Sequence, residues 1–278
     1  MSAPNASRSV AAPPPRDNGA AHLVRFMLPI IVLAAGIGAW ELVVRLNDIQ
    51  PYMLPAPSAI FATLIHDWGV LSQSLLTTLL TTFEGFLAAA IGGIALALLF
   101  NLSKWLEYSL FPYAVVLQVT PVIAIAPLLL IYLSQSTAVV VCAFIVAFFP
   151  VLSNTTLGLS SVDRNLAGLF QLYGASPLQT LFLLKLPAAL PFMLGGLRIA
   201  GGLSLIGAVV AEIAAGSAGA GSGLAYRIAE SGYRLNIPRM FAALLLLSAA
   251  GIVIYGLLAL TSHLLLRRWH ESAIGKDN

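Results

Sequence analysis

Charge is what this sequence has least of. Only 9% of its 278 residues are Asp, Glu, Lys or Arg, against about a quarter in a soluble globular domain. With 59% apolar residues and a mean hydropathy of +0.92, a water-soluble globule is excluded and an integral membrane protein is expected. Cysteine is nearly missing too. Cys142 stands alone in an apolar run, which excludes an intrachain disulfide and reads as a buried structural thiol. The four histidines, His22, His66, His263 and His270, share no ligand spacing, so no metal site is expected. No nucleophile stands beside a base at motif spacing, and no catalytic residue is assigned. The glycine-rich run from Gly216 to Gly223 lacks the Lys-Ser or Lys-Thr that a phosphate loop needs and no strand precedes it, so it reads as an outer loop and no cofactor is expected. A net charge of +3 gives no reason to expect nucleic acid. By itself the chain reads as a non-enzyme.

What is present is a series of apolar runs long enough to cross a bilayer, which takes about 20 helical residues each. Residues 1–22, rich in Ala, Pro, Ser and Asn, cannot bury enough apolar surface to order themselves and read as a disordered, dispensable tail ahead of a transmembrane domain over 23–278. Six spans are expected at about 26–44, 75–100, 106–133, 138–155, 192–215 and 239–266, giving an all-α membrane protein. Trp40, Glu41 and Arg45 follow the first run where a signal peptide would show a cleavage site, so that span is retained. Ser58 is placed to cap a short interfacial helix before the second span. The third run carries Pro112, Pro121 and Pro127, and the carbonyls they free are tolerated mainly beside protein or water, which makes it a candidate pathway wall. In the fifth, Gly195, Gly196, Gly201, Gly202 and Gly207 allow close helix approach.

Between the fourth and fifth spans lies the most ordered polar stretch, residues 161–190. Leu166, Leu169, Phe170 and Tyr173 follow the i, i+3, i+4, i+7 spacing of a surface helix with one apolar face. Gly174 is placed to stop it in the left-handed conformation. After Ala175, Ser176, Pro177 and Gln179 form the sequence pattern of a capping box that starts a second helix. That helix is expected to end near Pro187.

The order GASPLQTLFLLKLPAALP in this stretch resembles the conserved cytoplasmic loop of ATP-binding-cassette importer permeases. Gly174 falls on the family glycine and Leu186-Pro187 on its later Leu-Pro pair. The flanking text, from Val162-Asp163 through Gly196-Leu197-Arg198-Ile199-Ala200, is similar to the nitrate/sulfonate/taurine branch. The resemblance runs from about Leu54 to the C-terminus. It implies a type I importer (MetI-like) permease fold whose loop helix docks on a cytoplasmic ATP-binding subunit, with Leu166, Leu169, Phe170, Tyr173, Gly174, Ala175, Ser176 and Pro187 as coupling residues. It implies two ATPase copies, a second permease subunit forming a homodimer, and a periplasmic or lipid-anchored solute-binding protein, in a bacterial inner membrane. One departure stands out: the family's Glu-Ala-Ala positions hold Gly168, Leu169 and Phe170, so docking is expected to lean on shape and apolar area.

With both termini cytoplasmic, ten basic residues fall inside and Arg45, Arg227, Arg234 and Arg239 outside, of 14 in all, as the positive-inside rule asks. Charges within spans cost about 2.5–3.5 kcal/mol on insertion scales. Glu84 and Glu212 are therefore candidate pathway residues with Pro121 and Pro127, the structural alternative being pairing inside the bundle. Arg198 reads as snorkelling or bracing the loop, and the Tyr226-Arg227 repeat as an interfacial helix face. The expected function is import of a small solute, a nitrate-, sulfonate- or taurine-like anion or a pyrimidine vitamin precursor. An ion-coupled secondary transporter and a non-transporting membrane anchor are the alternatives.

Overall fold

The computed structural model describes residues 19–216 and 221–267. The expected N-terminal tail falls largely outside them, as do residues 217–220 of the glycine-rich loop. Among the described residues every regular element is helical. In chain order these are α1 (Gly19–Leu46), α2 (Pro57–His66), α3 (Trp68–Leu102), α4 (Lys104–Val119), α5 (Val122–Tyr132), α6 (Gln135–Ser160), α7 (Arg164–Leu172), α8 (Pro177–Thr180), a π-helical turn (Leu181–Lys185), α9 (Leu186–Ala215), α10 (Leu224–Tyr233) and α11 (Ile237–Leu266). Five helices are long and apolar enough to cross a membrane, or six if α4 and α5 count as one broken span.

The centre of the bundle is α6 packed against α9 on one side and α3 on the other. Glycine makes this approach possible. A Cβ at Gly207 would lie 2.7 Å from the Cys142 carbonyl oxygen, and one at Gly196 would lie 2.9 Å from that of Pro150. Gly85 and Gly93 of α3 press on Val140 and Val151 of α6 in the same way. At such crossings dispersion between nearly touching backbones replaces the hydrophobic effect that lipid does not supply. The glycine stripe of the fifth span is only partly used: Gly195 and Gly202 have no neighbouring atom within 4 Å for a Cβ to meet.

Three local expectations are corrected. The run expected as one span over 106–133 is two helices bent by 100°. Pro121 is the reason, since it holds Thr120 in extended backbone (φ −72°, ψ 124°) and becomes the N-cap of α5. The helix expected to end near Pro187 does not end there, because Pro177–Ala215 runs on as one 39-residue apolar helix. In an α-helix the Pro187 ring would press on the carbonyl four residues back. The preceding turn widens to π geometry, with the Leu186 N–H bonding Leu181 O. Finally, Ser58 does not cap α2. Ala56 is the N-cap with Pro57 in the first turn, and Ser58 gives its N–H and hydroxyl to the Glu41 carboxylate of α1 at 3.0 and 2.7 Å. This tether holds α1 to α2, beside a Trp40–Phe241 ring contact with α11.

Candidate functional site

At one end of the bundle, α7 and α8 project with no buried residue in either. Asp163 caps α7 by accepting the Asn165 N–H at 2.6 Å. The helix closes with Ala175 N–H to Phe170 O and Gly174 N–H to Gln171 O, both 3.0 Å, around Gly174 at φ +69°. This pair of bonds is a Schellman closure, and it needs the left-handed residue that glycine supplies without strain. The capping box is formed in full: Gln179 N–H donates to Ser176 Oγ at 3.2 Å and Ser176 N–H to Gln179 Oε1 at 2.7 Å. The chain therefore presents a short helix on a fixed elbow, each end satisfied locally.

The apolar face of α7 is not quite the one its spacing suggests. Leu166 and Leu169 are about half exposed and Phe170 is half-buried, while Leu172 and Tyr173 are 86% and 84% exposed. Leu172 was not in the expected face, although it lies three residues past Leu169 and shares its side. Pro187, expected with this group, is exposed and lies beyond the π turn, one flank of an apolar groove with Leu265 and Leu266.

The intramembrane candidates separate into different environments. Glu212 is 3% exposed. Its carboxylate accepts the Thr78 hydroxyl at 2.8 Å and the Ala225 N–H at 3.0 Å, and Thr78 Oγ1 in turn accepts the Leu224 N–H at 2.8 Å. Two side chains from α3 and α9 thus satisfy the first free N–H groups of α10. A side chain at Gly223 would collide with this carboxylate. Glu212 also borders a polar cavity of about 460 Å³ that includes Thr77, Thr81, Ser134 and Ser136 and carries no Lys or Arg. Glu84, on the same flank of α3 as Thr77 and Thr81, is exposed and has no ion-pair partner among the described residues.

Pro121 and Pro127, both exposed, belong to the broken pair. Beside that break, Gln118 and Thr120 border a cavity of about 340 Å³ with Pro150 and Leu203. Arg198 has a buried Nε without a hydrogen-bond partner and lies 6.0 Å from the Tyr255 ring centroid. Arg227 is held by Ser74 and Glu230. No group of three or more His, Cys, Asp or Glu that could hold a metal occurs among the described residues.

Residues 85–267 match the family model described as binding-protein-dependent transport system inner membrane component. A probable ABC transporter permease protein of Haemophilus influenzae is 33% identical over 233 residues, 84% of this chain and 94% of that one. The formylaminopyrimidine transport permease protein ThiX of Halalkalibacterium halodurans is 35% identical over 220 residues, 77% of this chain and 84% of its own. Among solved structures, a chain from the crystal structure of an amino acid ABC transporter with histidines superposes with a TM-score of 0.59 at 20% identity, covering 73% of this chain and 97% of that one. That likeness bears on the fold alone.

Proposed function

Because this chain belongs to the family of binding-protein-dependent transport system inner membrane components, we propose that it is one permease subunit of an ATP-driven importer whose 161–190 loop receives the force of a separate ATPase. The observation that carries this reading is the loop itself. A short helix with exposed Leu172 and Tyr173, closed at both ends by its own hydrogen bonds, leads into the unbroken helix Pro177–Ala215. At about 1.5 Å per residue that helix is near 58 Å long, almost twice the roughly 30 Å hydrocarbon core. Its first turns stand outside the membrane as a stalk, and a push on α7 acts on a lever.

Two permease copies, two ATPases and a solute-binding protein complete the assembly, with the loop and both termini on the cytoplasmic side. The count of basic residues supports that orientation. Supply of ATP hydrolysis by the partner agrees with the lack of any nucleotide motif in this chain. For the solute, the cavity beside Glu212 is lined by the hydroxyls of Thr77, Thr81, Ser134, Ser136 and Ser222, the Gln135 amide and one carboxylate. Hydroxyls and an amide can both donate and accept hydrogen bonds, and no Lys or Arg among them would attract an anion, so this lining suits a neutral polar solute, as in the formylaminopyrimidine named for a relative.

Reconstitution in proteoliposomes with a cognate ATPase and solute-binding protein tests the reading. Uptake of an aminopyrimidine that requires ATP inside the cytoplasmic compartment is expected. Uptake driven by an ion gradient without ATP would replace this reading with a secondary transporter.

A further inference from the structure

The stalk that joins the loop to α9 is held asymmetrically. Leu181, the first residue of the π turn, is 1% exposed and packs in the core cluster that holds Phe100 near the end of α3. Four residues on, the Lys185 ammonium donates to Asn101 Oδ1 of α3 at 3.1 Å. Among the described residues this is the one side-chain hydrogen bond from the 163–191 segment to another part of the chain. The opposite flank of the stalk faces α11 across an apolar groove of about 600 Å³, between Phe182, Pro187 and Leu265. The π turn is also where the lever is softest, because Pro187 has no N–H to give and the turn is wider than its neighbours.

We propose that Asn101 and Lys185 are positioning residues of the transport cycle: their hydrogen bond pins the π turn to the end of α3, so that movement of the loop is delivered to α3 as well as to α9. The proposal rests on the reading of the loop as the ATPase dock. Its physical content is a choice between two responses to one force. With the pin in place, a push on α7 cannot be absorbed by bending the π turn toward the α11 groove, and α3 must follow. α3 is 35 residues long with no proline inside, so it carries the displacement to its other end. There Thr78 holds Glu212 and the start of α10. Without the pin the stalk bends, α9 alone is driven, and the α10 end of the bundle lags.

Spin labels on the complete importer in lipid discs test this. Tyr233, exposed at 91% on α10, and Gln171, exposed on α7, are replaced singly by cysteine and labelled; the native Cys142 is fully buried and does not interfere. ATP with vanadate is expected to change the spectrum at both positions. Asn101→Leu and Lys185→Met should reduce the Tyr233 response at least threefold. The Gln171 response and ATPase copurification should stay at wild-type levels. The exchange Asn101→Lys with Lys185→Asn should restore the Tyr233 response, which a merely stabilising contact has no reason to do. An undiminished Tyr233 response in both single variants overturns the proposal. If the wild-type loop label at Gln171 ignores nucleotide while the ATPase stays bound, the docking reading itself falls, and this proposal with it.

Discussion

Thr78 and Glu212 lie 134 positions apart and share a hydrogen bond of 2.8 Å that also fixes where α10 begins. Residues drawn from three helices meet there, and each polar atom is both buried and answered. A carboxylate in an apolar bundle is costly alone, but here its oxygens face two donors, so it works as a bracket at the rim of the polar cavity. The bracket predicts a graded loss of stability. Glu212→Ala leaves the Thr78 hydroxyl and the Ala225 N–H without an acceptor. At about 1–3 kcal/mol for each buried unsatisfied group, the loss should come to roughly 2–6 kcal/mol. Glu212→Gln keeps one acceptor oxygen and should lose less. Thermal unfolding in detergent reads both, and equal midpoints for wild type and Glu212→Ala would show that the bracket contributes nothing.

The two faces of the glycine stripe in α9 predict opposite outcomes. Gly207→Val places side-chain atoms against the Cys142 carbonyl and Ala143 of α6, so the α6–α9 crossing must open and the yield of folded protein should collapse. At Gly202 an added Cβ has no atom within 4 Å to meet. Gly202→Leu should fold and insert normally, and any defect should appear only when two permease copies assemble. Size-exclusion profiles of the two variants separate these cases; equal loss of monomer in both would contradict the difference in packing.

Asp67 and Arg239 tie the start of α3 to the first turn of α11 at 2.6 Å, with the aspartate side chain only 10% exposed. Arg239→Met strands that carboxylate and should cost on the order of 1–3 kcal/mol, whereas Asp67→Asn paired with Arg239→Met should recover part of the loss. A double-mutant cycle on unfolding midpoints measures the coupling, and a value near zero would mean the pair is dispensable. Its partial burial predicts weak dependence on salt.

What could be read from the sequence was whatever depends on neighbours within one helical turn. The Gly174 stop and the Ser176–Gln179 box need no tertiary contact, and both stand in the structure as their residue types require. Long apolar runs likewise declared most of the membrane-crossing helices. The break at Pro121 and the π turn before Pro187 were harder, because a proline announces a missing hydrogen bond without saying whether the helix bends, stops or widens. Packing around each decided that: 100° at one, a wide turn at the other. The partner of Glu212 was not legible at all, since one-dimensional spacing carries nothing about residue 78. Leu172 lay outside the expected docking face because a spacing counted from Leu166 passes it by, and only the exposure of each side chain in the folded protein shows which side is turned outward.

That exposure sharpens the test of the proposed coupling loop. Leu172 and Tyr173 are the most exposed apolar side chains of α7, and Phe170 is half-buried. Tyr173→Ala and Leu172→Ala should therefore weaken ATPase copurification more than Phe170→Ala does, each by roughly tenfold if they behave as interface anchors worth about 1–2 kcal/mol. Phe170→Ala acts at one remove, by loosening the helix that presents them. Gly174→Val puts a β-branched residue at φ +69°, costs about 1–2 kcal/mol of local strain, and swings α7 away from the capped start of α8. It should uncouple ATP hydrolysis from transport while membrane insertion stays near normal. Because no glutamate occupies the positions of Gly168, Leu169 and Phe170, the proposed docking would bury mainly apolar area. Raising salt from low to physiological and beyond should leave it nearly unchanged, since screening weakens exposed charge pairs far more than buried hydrocarbon. Copurification at wild-type levels in both Tyr173→Ala and Gly174→Val, at either salt concentration, would mean that α7 lies on the lipid surface and that the ATPase, if it binds this chain, binds elsewhere.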